Sequence, residues 1–122
     1  MLAKVAVIDD NEELTDVLAK ILTEAGYDVI THNTVQFINF LQAEKPDIVL
    51  LDIWFDQDDL GKQLAQAFHQ HDELRHIPVI LMSSDNEVAN YADKVNADAY
   101  LEKPFEMQEL FMLLKHVSKT AH

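Results

Sequence analysis

Cysteine is absent from this 122-residue chain, which excludes disulfides and thiol chemistry and suits a cytoplasmic protein. Basic residues are scarce: 9 Lys and Arg stand against 22 Asp and Glu, a net charge of −13 at pH 7. A field of that sign repels phosphate backbones and argues against direct nucleic-acid binding, while it attracts cations and basic faces of other proteins. No apolar run approaches membrane-spanning length, and the opening MLAKVAVIDD reaches two acids too soon for a signal peptide. Linkers, internal repeats and low-complexity stretches are missing as well. The expectation is one acidic domain over residues 1–122. Its hydrophobic share of 48% and charged share of 25% are ordinary globular values, and its length allows a real core.

Two patterns alternate along the chain. Short apolar runs of strand type occupy 4–8 (KVAVI), 27–31 (YDVIT), 47–51 (DIVLL), 78–82 (PVILM) and 98–101 (DAYL). Between them lie segments with helical spacing. Leu14, Val17, Leu18, Ile21 and Leu22 share one face, as do Leu60, Leu64, Ala67 and Phe68. Val88, Tyr91, Ala92 and Val95 make a further stripe, Leu110, Leu113, Leu114 and Val117 another, and 35–44 (VQFINFLQAE) is helical with a broader apolar face. Gly26 stands where a left-handed cap closes the first helix, and Ser84 with Glu87 could form a capping box. Pro46 and Pro78 precede or open strands, where a missing N–H does least harm. The first, third and fourth strands are nearly continuous apolar runs, the mark of strands covered on both faces. Five β–α units in strict alternation predict a doubly wound α/β fold with a parallel sheet.

In such a sheet the ligand site lies beyond the carboxyl ends of the strands. The first strand runs into Asp9-Asp10, the third into Asp52, the fourth into Ser83-Ser84 and the fifth into Glu102-Lys103-Pro104. Three carboxylates, a hydroxyl and an ammonium thus converge on one edge. Carboxylates that close call for a cation among them, and a hard, oxygen-seeking ion such as Mg²⁺ fits. With Mg²⁺ an Asp can attack a phosphoryl group, while Lys103 and a serine hydroxyl offset charge on the transferring oxygens.

The motifs VIDDN (7–11), DIVLLDI (47–53), PVILMSS (78–84) and AYLEKPF (99–105), in that order and at those strand ends, resemble the receiver domain of two-component response regulators. The likeness covers essentially the whole chain. It implies a flavodoxin-like five-stranded sheet of order 2-1-3-4-5 with five helices. Asp52 would be the phosphoacceptor. Asp10 and Asp52 would bind Mg²⁺ through side chains, Trp54 through its backbone carbonyl and Asp9 mainly through metal-bound water. Ser83 would hydrogen-bond one phosphoryl oxygen and Lys103 would pair with another, the Lys103–Pro104 bond being cis. Tyr100 matches the aromatic that swings inward when the hydroxyl is drawn to the phosphoryl group. That motion would alter the partner-binding surface of the fourth helix, fifth strand and fifth helix, about 86–117. The implied partners are a sensor histidine kinase or histidine phosphotransfer protein and a downstream protein target, with a phosphorylation-dependent dimer as a further option. The domain would catalyse its own phosphorylation and dephosphorylation without being a metabolic enzyme. It would act alone or as the receiver of a larger protein.

Departures from the family pattern are confined to one loop. Phe55-Asp56 stands in place of Met-Pro, Gly61 lies nine positions after Asp52 instead of eight, and Trp54 is bulky where side chains govern access. Every chemical group is kept, so two rivals are weighed on what remains. One is a receiver-like binding module that is never phosphorylated. The other is a Mg²⁺-dependent aspartyl phosphatase, which needs a second Asp two positions after the nucleophile, where Trp54 stands. Asp56, Asp58 and Asp59 read as a solvated loop and helix start rather than ligands. His69, His71 and His76 lack the i,i+4 spacing and the cysteines of a zinc site and read as surface residues. His32, His116 and His122 have no assigned role.

Overall fold

The computed structural model describes residues 3–9, 11–32, 37–52, 70–83 and 97–120. Strand β1 (Lys4–Ile8) leads into helix α1 (Glu12–Glu24), β2 (Asp28–His32), helix α2 (Phe37–Glu44) and β3 (Ile48–Asp52). Strands β4 (Val79–Ser83) and β5 (Ala99–Glu102) follow, and helix α3 (Met107–Thr120) completes the described chain. The strands form one parallel sheet in the order β2-β1-β3-β4-β5. This is the expected doubly wound, flavodoxin-like architecture. Three of the five expected helices are described. The stripes at 60–68 and 88–95, with the Ser84–Glu87 capping box, lie outside the described residues.

The apolar runs explain which strands are central. Every residue of β3 and β4 is buried, and so are four of the five in β1. The edge strands β2 and β5 are only partly covered. Alternate side chains point to opposite faces. Val5, Val7, Ile48, Leu50, Ile80 and Met82 therefore pack with Leu18 and Leu22 of α1 and with Leu110, Leu114 and Val117 of α3. Ala6, Ile8, Val49, Leu51, Val79 and Leu81 pack on the other face with Leu41 of α2 and with Leu74.

Two helix ends show local chemistry at work. Asn11 caps α1, its side chain accepting the Leu14 N–H at 3.1 Å, and acids Glu12 and Glu13 occupy the first turn, where the helix dipole favours them. At the far end Gly26 takes a φ of 102°, and the Tyr27 N–H reaches back to the Leu22 carbonyl. Helix α2 stops on Lys45, whose φ of 48° is the left-handed region that a glycine would enter without cost. Pro46 follows and bars any continuation.

Each later strand begins one residue after the start of its apolar run. Asp47 and Asp98 sit just before β3 and β5 and bond the neighbouring strand twice: each side chain accepts an N–H, of Lys4 and Val79 respectively, at 2.8 Å, and each backbone N–H donates to the carbonyl of the same residue. These bonds close the sheet's amino edge, opposite to the one that carries the site.

Candidate functional site

The strand order reverses between β1 and β3, the place where open parallel sheets hold ligands. In the register of these strands Ile8 pairs with Leu51, so the next residues, Asp9 and Asp52, stand level at the carboxyl edge. Asp9 is 0% exposed and Asp52 6%. Lys103, just past β5, reaches across to both. Its Nζ donates to Asp9 Oδ2 at 2.9 Å and lies 3.7 Å from Asp52 Oδ2.

The backbone fixes where that ammonium can go. The Lys103 N–H donates to the Ser83 carbonyl at 2.7 Å, and the Lys103–Pro104 bond is cis. Ser83 is fully buried and registers with Glu102, which brings the serine beside the lysine. Asp9 is held from both sides: its N–H donates to the His32 carbonyl at 3.2 Å, and its Oδ1 accepts the Asn11 N–H at 2.9 Å. The helix-capping residue thus also orients the buried carboxylate. His32 in turn stacks on Phe40, ring centroids 4.6 Å apart. Tyr100 pairs with Leu81 and is 48% exposed on β5, directed to solvent rather than into the sheet.

Of the residues expected at the site, the structure brings together Asp9, Asp52, Ser83 and Lys103, with Tyr100 on the neighbouring strand. Asp10 and Trp54 lie outside the described residues, as do Phe55, Asp56, Asp58, Asp59, Gly61 and His69. The direct ion pair between Asp9 and Lys103 was not foreseen. Asp9, expected to act through metal-bound water, accepts the Asn11 N–H at Oδ1 and the Lys103 ammonium at Oδ2. Nothing local in the sequence signals a partner 94 positions away.

Electrostatically the pair of buried carboxylates faces the Lys103 ammonium in a poorly solvated place. Magnesium typically takes one or two carboxylates and completes its shell with water, so Asp52 as a direct donor and Asp9 as an acceptor for a bound water fit such an ion. Among the described residues no group of three or more His, Cys, Asp and Glu is placed to hold a metal. No described helix is long and apolar enough to cross a membrane.

Comparison with known proteins identifies a family and a fold. The chain matches the family described as response regulator receiver domain over residues 5–115. It is 32% identical over 116 residues to the phosphate regulon transcriptional regulatory protein PhoB of Pseudomonas aeruginosa, covering 93% of this chain and 50% of that protein. An NtrX-like protein of Rickettsia bellii is 34% identical over 119 residues, 93% of this chain and 24% of the relative. The chain therefore spans half or less of these two relatives. Among solved structures, a CheY-like receiver domain protein of Methanospirillum hungatei superposes with a TM-score of 0.87 at 22% identity, covering 99% of this chain and 97% of that one.

Proposed function

The chain belongs to the response regulator receiver domain family, and from that premise we propose that it is a phosphorylation-switched signalling module with Asp52 as phosphoacceptor. A histidine kinase or histidine phosphotransfer protein is the donor. A carboxylate oxygen of Asp52 attacks phosphorus, the P–N bond to the donor's imidazole breaks, and its electron pair returns to the ring. Lys103 pairs with one oxygen of the transferred group and the Ser83 hydroxyl donates to another. In the reverse sense water attacks the acyl phosphate, Asp52 leaves as a carboxylate, and inorganic phosphate and a proton are released. Asp10, Asp52 and the Trp54 carbonyl would hold Mg²⁺, with Asp9 linked to it through water. The ion, when bound, supplies positive charge at the transferring oxygens. Tyr100 turns inward as Ser83 engages the phosphoryl group, and the face built by residues 86–117 passes the change to a downstream protein.

One observation carries this reading: two buried carboxylates from neighbouring strands share the Lys103 ammonium at the strand-order reversal. A second reading, a receiver-like binding module without phosphorylation, is favoured only by the altered loop at 53–61. Incubation with Mg²⁺ and acetyl phosphate, followed by intact mass measurement, separates them. The expected result is a single phosphoryl adduct that Asp52→Asn abolishes. Absence of an adduct with every donor, small-molecule or kinase, would leave the binding module standing.

A further inference from the structure

We propose that the groove between β5 and α3 receives a basic segment of a partner protein, anchored by apolar side chains against Tyr100 and Met112. This rests on the reading of residues 86–117 as the output face and adds the chemistry of what docks there. The groove, about 650 Å³, runs along residues 97–102, which include the whole of β5, and is walled on its other side by α3. Tyr100 and Met112 both line it, 48% and 69% exposed, two of the three large hydrophobics left open to solvent among the described residues. The third, Val17, is on α1, so the two in the groove form the only such pairing among the described residues. Apolar side chains gathered in one exposed groove and rimmed by polar groups mark a protein-binding surface, whereas single ones do not.

The rim selects the partner. Asp98, Glu102 and Glu109 line the groove, with no Lys or Arg among its described lining residues. All three are exposed and carry charge that an incoming chain meets; Asp98 also accepts the Val79 N–H and Glu109 the Glu106 N–H, each through one oxygen. A second copy of this chain docking through the same patch would bring one acidic rim against another while two net charges of −13 repel. A segment with Lys or Arg flanking one or two large apolar residues satisfies both floor and rim.

The test uses the whole chain and a fluorescent amphipathic helical peptide with leucine and tryptophan on one side and arginine on the other. Its glutamate-for-arginine twin is the control. Binding is followed by polarisation before and after treatment with Mg²⁺ and acetyl phosphate, and intact mass reports the adduct in the same samples. The arginine peptide should bind in at least one of these states and the glutamate twin in neither. Glu102→Lys with Glu109→Lys should weaken binding about tenfold, and Met112→Asp should abolish it. Glu24→Lys with Asp28→Lys makes the same change in net charge on exposed residues elsewhere and should leave affinity within about twofold. Equal weakening by the two charge pairs would overturn the proposal by showing diffuse attraction. So would sedimentation revealing a dimer that Met112→Asp disrupts, or the absence of peptide binding in both states. An adduct without binding refutes this inference alone. Groove-specific binding without an adduct upholds it, and the phosphorylation reading falls instead once a kinase donor also gives no adduct.

Discussion

Replacing Lys103 by methionine keeps the length of the side chain and removes the ammonium that Asp9 and Asp52 share. Asp9 loses a 2.9 Å charged hydrogen bond while remaining buried. The expected cost is about 2 kcal/mol of stability in urea unfolding, the scale of a hydrogen bond to a charged group. Adduct formation should slow about 100-fold, because a positive donor aimed at the transferring oxygens is lost. Asp52→Asn acts in the opposite direction on stability. It halves the negative charge facing one ammonium, so the variant should be more stable by about 1 kcal/mol even though it cannot be phosphorylated. Both residues were legible as site members from their places at strand ends. The pairing of Lys103 with Asp9 was not, because it depends on where the turn after β5 sends a flexible side chain, and no spacing in the sequence encodes that.

At the level of elements, Lys45 at φ 48° closes α2 where a glycine would sit without strain. Lys45→Gly should raise stability by about 0.5 kcal/mol, the left-handed penalty relieved exceeding the added unfolded-chain entropy, as denaturant midpoints at constant slope would show. The strands were readable because β1, β3 and β4 are buried on both faces and so carry continuous apolar runs. Their beginnings were misread by one residue at β2 through β5. Hydropathy groups each leading residue with its run, whereas the regular ladder starts one residue later. Asp47 and Asp98 mark that junction: each already bonds the neighbouring strand through its N–H and adds a side-chain bond to that strand's N–H. Gly26 was legible because only its positive φ lets the chain turn back after α1.

The molecule as a whole carries a net charge of −13, and compact packing brings those charges together. Sodium chloride should therefore raise the melting temperature by screening self-repulsion. Magnesium chloride at the same ionic strength should raise it further in the parent, since an ion bound only by the folded state stabilises it. Asp52→Asn should keep the sodium response and lose most of the magnesium excess, which scanning calorimetry would resolve. The acidic balance was plain from composition, but its arrangement around the groove of β5 and α3 was not, because that depends on which helix faces the packing leaves uncovered. The Lys103–Asp9 bond joins residues 94 positions apart and passes over two intervening strands. During synthesis Asp9 and Asp52 emerge long before their ammonium does. A chain cut short anywhere before β5 ends thus holds two aspartates with no Lys103 to meet them, so the charge balance of the site doubles as a record that the domain has been completed.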